Sequence, residues 1–240
     1  MTTILDNPVT VTDLVAAVRR QQAPRPAAVA QPSARLTSRS VCIVGAHPGA
    51  GATAVAVAAT DALTATGQEV TLLDGAVTPD AFGAVEVEID SGTPGLRSGR
   101  RGLATVVRPD AAGLDVAPEA SVVVIDGDLG TSTHRVVVCR PTLPSVGKAE
   151  RFLTDDSLLA VLGAARWPQV VRASLGPTAM QAADNGRVVF FPRNRDLEIH
   201  GVDPEPTPAA LLASGFRLIE FLWPHFAGPA RPHRRKGLRR

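Results

Sequence analysis

The 240-residue sequence predicts one doubly wound α/β domain, in which helices cover both faces of a mostly parallel sheet. Three observations predict this fold class. Several short apolar runs are β-branched and lack polar alternation, which is typical of parallel strands that are buried on both faces. Helix-like segments lie between these runs. A glycine-rich turn joins the first run to an alanine-rich segment, as expected where a strand passes into a helix.

The first 39 residues are predicted to form a flexible N-terminal tail. Residues 10–18 contain a helix start and one apolar stripe, which indicates a short helix. The following stretch, APRPAAVAQPSARLTSRS, is rich in Pro, Ala and Ser and is typical of a linker. Two interpretations stay open for this tail: a tethered helix that binds a partner, and a solvated leader without a role.

The domain itself is predicted to span residues 40–227 as an alternation of strands and helices. The strands are predicted at Val41–Gly45, Val70–Asp74, Val122–Asp126, Arg135–Cys139, Val170–Ala173 and Val188–Phe191. Helices are predicted at 52–66, 145–163 and 208–223. Residues 76–104 are crowded with Gly, Pro and Arg, and they predict a long loop with one short hairpin.

The last predicted helix, PAALLASGFRLIEFLW, has its large apolar residues at helical spacing. This spacing favours a helix that packs on the sheet. A helix lying on a membrane is the alternative, because a basic segment follows it. Against that alternative, its polar face lacks the lysines and arginines that such helices favour.

The segment between the first strand and the first helix predicts an anion site. Its glycines let backbone N–H groups approach phosphate oxygens, and the helix dipole adds about half a positive charge. The residues predicted to border the ligand in this segment are Gly45, His47, Gly49, Ala50, Gly51, Ala52 and Thr53. The alternative interpretation is a tight turn whose glycines serve only packing.

This loop resembles that of the MinD/ParA branch of P-loop NTPases (the SIMIBI class), which reads roughly x-Lys-Gly-Gly-x-Gly-Lys-Thr. The resemblance places the final glycine on Gly51 and the threonine on Thr53. The lysine that in the family reaches the β- and γ-phosphates falls on Ala52. The lysine that in the family reaches across a nucleotide-sandwiched dimer falls on His47. The resemblance therefore implies a degenerate member that lacks the Walker A lysine.

Downstream segments match the family in order over about residues 40–223. Asp74 ends the second strand, where the family keeps an aspartate near the attacking water and magnesium. The run SVVVIDGD resembles the Walker B strand, with Asp126 approaching Mg²⁺. By resemblance, Thr53, Asp74 and Asp126 are the Mg²⁺ candidates. The alternative role for both aspartates is the capping of a helix or loop. By resemblance, Arg193 and Asn194 fall where the family contacts the base of the nucleotide. The alternative is that these two are solvated loop residues.

The missing lysine decides the predicted activity, because phosphoryl transfer depends on positioned charge. The resemblance implies a non-hydrolysing scaffold or regulator in a partition, secretion, pilus or conjugation-type assembly. ATP and Mg²⁺ would then bind weakly and neither would be obligatory. The first alternative is an active ATPase in which His47 or an arginine within 97–101 replaces the lysine, with Asp74 and His47 as catalytic candidates. The second is an unrelated Rossmann-like enzyme that binds another phosphate ligand.

Charge is distributed unevenly along the chain. Residues 1–39 carry +3 and residues 231–240 carry +6, which leaves −7 between them. The tail at 228–240 is predicted to contact an anionic partner. DNA or an acidic protein is favoured over a membrane surface, and a tail that serves only solubility is the alternative. Its cations are Arg231, Arg234, Arg235, Lys236, Arg239 and Arg240. Protein partners are expected. Family members often dimerise across bound nucleotide, and because both family lysines are missing here, the sequence does not decide whether this chain forms a homodimer.

Composition and motif searches exclude several other classes. No apolar run approaches the roughly 20 residues needed to span a bilayer, and the N-terminus does not resemble a secretory signal. Cys42 and Cys139 lie in apolar runs and are predicted to be buried strand residues in a reducing, cytoplasmic compartment. Metalloprotease, paired-cysteine and serine-hydrolase motifs are missing from the sequence.

Overall fold

The computed structural model describes residues 39–75, 81–92, 95–109, 120–128 and 132–226. The chain divides into two units, Met1–Ser33 and Ala34–Arg240, and all described residues belong to the second. The strands are β1 (Arg39–Gly45), β2 (Val70–Asp74), β3 (Val87–Ile89), β4 (Leu96–Arg101), β5 (Ala104–Pro109), β6 (Val122–Asp126), β7 (His134–Cys139), β8 (Leu158–Leu162) and β9 (Val188–Phe191). The helices are α1 (Ala52–Ala65), α2 (Leu143–Ala149), α3 (Gln169–Ala173), α4 (Pro177–Asp184), α5 (Arg195–His200) and α6 (Ala209–Leu222), with 3₁₀ turns at Ala81–Ala84 and Pro224–Phe226.

These strands form one nine-stranded sheet in the order β3-β4-β5-β2-β6-β1-β7-β8-β9. The seven strands from β5 to β9 in this order are parallel, and β4 pairs antiparallel with both β3 and β5. Parallel neighbours require crossover connections, and helices supply several of them here. The predicted mostly parallel sheet is confirmed.

Both faces of the sheet are covered by helices, and side chains alternate between the two faces along each strand. In β7, Val136 and Val138 pack in the core cluster that contains α1 and α6 residues. The intervening Val137 and Cys139 pack in a second cluster with residues of α2, α3 and α4. This alternation explains why the central strands read as continuous apolar runs, and it confirms the doubly wound arrangement.

Helix α1 lies between the sheet and α6, and small residues let the two helices approach closely. Gly215 of α6 faces α1, where a Cβ atom would overlap the Ala58 carbonyl oxygen and lie 3.2 Å from the Ala62 Cβ. Nine of the 14 residues of α1 are buried, seven of them alanine or valine. The alanine-rich segment is therefore a helix enclosed by packing, rather than a surface helix.

Two predicted elements are wrong. The predicted helix at 145–163 ends as α2 at Ala149, and its second half contains the strand β8, which pairs parallel with β7 and β9. Leu158–Leu162 has few β-branched residues, but all five are buried, and burial between two strands overrides the helical propensity of Leu and Ala. The predicted strand at Val170–Ala173 is instead part of α3, which begins after Pro168 and exposes 67% of Val170 while burying Val171.

The predicted loop at 76–104 contains the expected hairpin and, after it, a second tight turn that leads into a further strand. β3 and β4 form the antiparallel pair, with Val87 opposite Arg100. A second tight turn follows at Gly102, whose φ is 52°, so that Arg101 pairs with Ala104 and β5 returns beside β4. The strand β5 is not predicted from the sequence because ATVVRP follows directly on a stretch dominated by Gly and Arg.

Both cysteines are buried strand residues, as predicted. Cys42 Sγ lies 2.6 Å from the carbonyl oxygen of Gly127, to which the thiol donates a hydrogen bond. Burial raises the pKa of Cys139 to about 12, so this thiol stays protonated near neutral pH. Cys139 is therefore a packing residue.

His134 makes the stability of the fold dependent on pH. Its ring packs edge-on against Trp223 with centroids 5.7 Å apart, and burial lowers its pKa below 6.5. The unfolded chain binds the proton first as pH falls, so this contribution to stability is complete above about pH 6.5 and is lost below it. Denaturant unfolding at pH 7.5 and 5.5 should show a smaller pH-dependent loss in His134→Phe than in the wild type. An equal loss in both proteins would contradict the role of this histidine.

No helix in the described ranges is long and apolar enough to cross a membrane. The predicted helix at residues 10–18, the linker after it, and the basic tail with its six cations lie outside the described residues. Their predicted roles stay predictions.

Candidate functional site

A cavity of about 720 Å³ opens at the carboxyl ends of β1 and β6. This edge is where open α/β sheets bind ligands. The predicted residues of the glycine-rich loop and the predicted Walker B aspartate all line it: Gly45, His47, Gly49, Ala50, Gly51, Ala52, Thr53 and Asp126. Residues of other segments also line it: Gly83 of the first 3₁₀ turn, Arg140 after β7, Phe152 after α2, Leu162 of β8, and Leu197, His200, Gly201 and Val202 around α5.

The loop between β1 and α1 has the backbone shape of an anion cradle. Gly49 and Gly51 have φ values of 78° and 95°, which side-chain-bearing residues rarely adopt. Gly51 caps α1 without a side-chain hydrogen bond, so the first N–H groups of α1 point out of its N-terminus. A Cβ at Gly51 would also overlap Leu162 Cδ2 of β8. Glycine is therefore required here by both conformation and space.

Thr53 and Asp126 form a hydrogen-bonded pair at the floor of the cavity. Thr53 Oγ1 donates to Asp126 Oδ2 over 2.7 Å. Asp126 is the last residue of β6, is 1% exposed and lies opposite Ile43 of β1 in the strand register. A hydroxyl on the first helical turn beside a strand-end carboxylate is an oxygen donor set that suits Mg²⁺. These two residues fit the metal, while Ala52, between Gly51 and Thr53, brings only a methyl group.

Asp74 lies one strand further away. It is opposite Asp126 in the β2–β6 register and is 3% exposed. Its Oδ2 accepts a hydrogen bond from the Phe82 N–H at 3.2 Å, and it is not among the residues that line the cavity. In this structure Asp74 fixes the 3₁₀ turn after β2, which matches the capping alternative, and its roles as a metal ligand and catalytic residue stay predictions.

His47 is held by two neighbours at the cavity wall. Its Nδ1 lies 2.7 Å from the Pro48 carbonyl oxygen, and its Nε2 lies 2.7 Å from Ser145 Oγ of α2. Ser145 Oγ in turn accepts a hydrogen bond from the Arg140 N–H at 2.8 Å. The ring therefore ties the glycine loop to the segment that follows β7.

Arg140 is a charged residue of the cavity wall that the sequence pattern does not identify. It follows β7 directly, and its Nε donates to the Gly49 carbonyl oxygen at 3.3 Å. Its Nη2 lies 3.9 Å from the position that a Cβ on Gly51 would occupy. The available signal was its place directly after the predicted strand Arg135–Cys139, because parallel strands end at the sheet edge where such folds bind ligands.

The arginines proposed as substitutes for the lysine are engaged elsewhere. Arg97 pairs with Glu88 at 2.9 Å and covers the Phe82 ring, and neither Arg97 nor Arg101 lines the cavity. Arg101 is 4% exposed and makes a two-bond ion pair with Asp61 of α1 at 2.8 and 2.9 Å. Both guanidinium groups therefore have partners outside the cavity, and the replacement of the lysine by an arginine within 97–101 stays a prediction.

Arg101 instead anchors the segment after α5. It donates to the carbonyl oxygens of Ala84, Asp203 and Glu205 at 2.9 to 3.0 Å. Gly201 and Val202, which line the cavity, directly precede this segment. The Asp61–Arg101 pair thus links helix α1 to the far wall of the cavity.

Arg193 and Asn194 support α5 rather than the cavity. Asn194 Oδ1 caps the helix by accepting the Leu197 N–H at 2.8 Å. Arg193 Nε pairs with Glu198 Oε2 at 2.9 Å. The predicted segment does reach the site, but through Leu197, His200 and the residues that follow.

No family model matches this sequence, and a search of curated proteins found no similar sequence. Solved structures are similar over most of the chain. A chain of the MinC:MinD cell division protein complex from Aquifex aeolicus is 16% identical with a TM-score of 0.55, covering 76% of this chain and 96% of that one. The cell division ATPase MinD of Pyrococcus furiosus is 14% identical with a TM-score of 0.53, covering 77% and 99%. Apo McdA from Cyanthece is 11% identical with a TM-score of 0.52, covering 80% and 100%.

These similarities, together with the sheet order and the cradle after β1, define the fold as that of a P-loop NTPase. Within that class the structural neighbours are MinD/ParA-type proteins.

Proposed function

We propose that this chain is a MinD/ParA-like pseudo-ATPase, which binds a phosphate-bearing ligand without hydrolysing it and serves as a scaffold for a protein assembly. One observation carries the proposal. The glycine cradle supplies backbone N–H groups and the Thr53–Asp126 pair supplies oxygen donors, as a magnesium-bound phosphate would need, while Ala52 offers a methyl group where the resemblance requires an ammonium.

Each retained part has a binding role that does not need the lysine. The N–H groups of the loop and of the first turn of α1 would hold phosphate oxygens. Thr53 and Asp126 would hold Mg²⁺, whose chemistry is to neutralise charge on those oxygens. Losing one preorganised donor typically slows a reaction by about 10²–10³. We therefore propose that this site still binds the ligand although it no longer hydrolyses it.

The scaffold role is proposed in a partition, secretion, pilus or conjugation-type assembly. One similarly folded chain comes from a complex of MinC with MinD, so this fold is compatible with a protein partner. The basic tail at 228–240, whose cations lie between Arg231 and Arg240, is proposed to add contacts to DNA or another polyanion.

Restoring the lysine tests the proposal. Ala52→Lys is expected to raise the affinity for magnesium–ATP by at least about tenfold, because a charge-assisted contact to phosphate is added. Calorimetry gives the affinity, and phosphate release gives turnover. Ala65→Lys is the matched control, since it adds the same charge to the same helix at an exposed site in its last turn. Equal affinities for Ala52→Lys and wild type would argue against a decayed phosphate loop.

An ATPase with a substituted cation is the second candidate, and the position of Arg140 at the cradle favours it. Phosphate release decides between the two. We expect wild-type release at the buffer background. Release over many turnovers that disappears in Thr53→Ala would overturn the pseudo-ATPase assignment.

A further inference from the structure

We infer that Arg140 is the cation that this cradle uses to bind phosphate, and that Glu198 of α5 competes with the ligand for it. The inference rests on the proposed function and deepens it. It names the ligand chemistry as the oxygens of a diphosphate or triphosphate group, and it names a carboxylate of this chain as their intramolecular competitor.

The guanidinium group of Arg140 lies where a phosphate on the loop would meet it. It contacts the cradle at Gly49 through Nε and approaches Gly51 through Nη2. Its Nη1 lies 3.5 Å from the position of a Cβ on Gly163, another glycine with a positive φ of 105°. Glycines at 51 and 163 thus leave room for this side chain between β8 and the loop.

The backbone of Arg140 is fixed, so the side chain starts from a defined point. Its N–H donates to Ser145 Oγ, and Ser145 is 3% exposed and also contacts His47. The glycine loop and the arginine are therefore positioned by one shared hydroxyl. The cation beside the cradle is therefore Arg140, which follows the neighbouring strand β7, whereas the lysine of the family would be carried by α1.

Arg140 has donors to offer a ligand. Arginine carries five N–H donors in a planar fork that matches phosphate. Among the described residues, the polar contacts of its side chain are the bond from Nε to Gly49 and an ion pair from Nη1 to Glu198 Oε1 at 3.5 Å. The ion pair is long, and the Arg140 side chain is 30% exposed, so this pair contributes little to stability.

Glu198 can release Arg140 without losing its own partner. Its other oxygen, Oε2, pairs with Arg193 at 2.9 Å. When Arg140 turns to a phosphate, the Glu198 carboxylate keeps the charge of Arg193. The exchange replaces one long ion pair by charge-assisted bonds to phosphate, which are shorter and stronger.

Binding of pyrophosphate and of ADP by the full chain, measured by calorimetry, tests this inference. Arg140→Gln is expected to lower the affinity for both probes by at least about tenfold. Glu198→Gln is expected to raise it about twofold to fivefold, because the competitor is removed. The gain from Glu198→Gln should vanish in the double variant. Arg217→Gln removes an equal charge from an exposed site on α6 and should bind like the wild type.

The outcomes separate this inference from the proposed function. If Arg140→Gln binds like the wild type, or if the double variant keeps the gain in affinity from Glu198→Gln, the assignment of Arg140 and Glu198 is overturned. The proposed phosphate site in the glycine loop is not affected by that result. If neither wild type nor Glu198→Gln binds either probe, the cradle itself fails, and the proposed function fails with it. Circular dichroism of each variant shows whether a loss reflects misfolding, and in that case Arg140→Lys, which keeps the charge, must retain part of the affinity.

Discussion

Replacing Asp61 with alanine is expected to lower the free energy of unfolding by about 3–5 kcal/mol, which is the range for breaking a buried ion pair by removing one partner. The Arg101 guanidinium is 4% exposed and would keep its carbonyl partners but lose both carboxylate bonds. Because Arg101 also holds the carbonyls of Asp203 and Glu205, the cavity wall at Gly201 and Val202 should loosen too. Urea unfolding measures the first effect and ligand affinity the second.

An exposed ion pair of the same chemistry provides the control. Glu88 pairs with Arg97 at 2.9 Å, but both side chains are about half exposed. Glu88→Ala should therefore leave the unfolding midpoint nearly unchanged, since exposed pairs are screened by solvent. Similar losses in Asp61→Ala and Glu88→Ala would show that burial does not set the strength of the Arg101 pair.

Gly215→Val is expected to destabilise the fold by about 3 kcal/mol or more, at the upper end of overpacking effects. The added side chain would overlap the Ala58 carbonyl oxygen and approach Ala62, so α6 would have to move away from α1. Both helices contribute to the larger core cluster, and the nearest atoms that a Cβ would meet are backbone atoms of Ala58 and the Cβ of Ala62, which cannot rotate away. Thermal or urea unfolding followed by circular dichroism measures the loss.

The same substitution at another helical glycine separates this packing effect from helix propensity. Gly147 of α2 is exposed, and a Cβ there would meet no atom within 4 Å. Gly147→Val should change stability by no more than about 0.5 kcal/mol, as is usual for surface positions. A loss at Gly147 as large as that at Gly215 would contradict the proposed close contact between α1 and α6.

The sequence was informative about the fold where strand identity is a local property. Val122–Asp126 is a β-branched run, and it forms a strand over the predicted residues. The local sequence of Leu158–Leu162 predicts a helix because Leu and Ala favour helices in isolation, whereas its position between β7 and β9 makes it a strand. Such pairing depends on residues far along the chain, which no local pattern contains.

The candidate site also has a part that the sequence predicts and a part that it does not. The backbone cradle could be predicted because its glycines lie within nine residues, and Thr53 and Asp126 could be placed at one edge because parallel strands share their carboxyl ends. Arg140 could not be identified as a neighbour of Gly49, since the two are 91 positions apart and long side chains choose partners only in the folded protein. The same limit applies to Arg101, whose carboxylate partner Asp61 lies 40 positions away.

The enclosure of α1 has a consequence for how a ligand would be received. This helix presents its N-terminal amides to the cavity while its body is held between the sheet and α6. Its first turn therefore keeps its shape before any ligand arrives, and binding requires little loss of backbone entropy. A preorganised receptor of this kind retains useful affinity even after one strong contact has been removed, which is the condition under which a site can survive the loss of its chemistry.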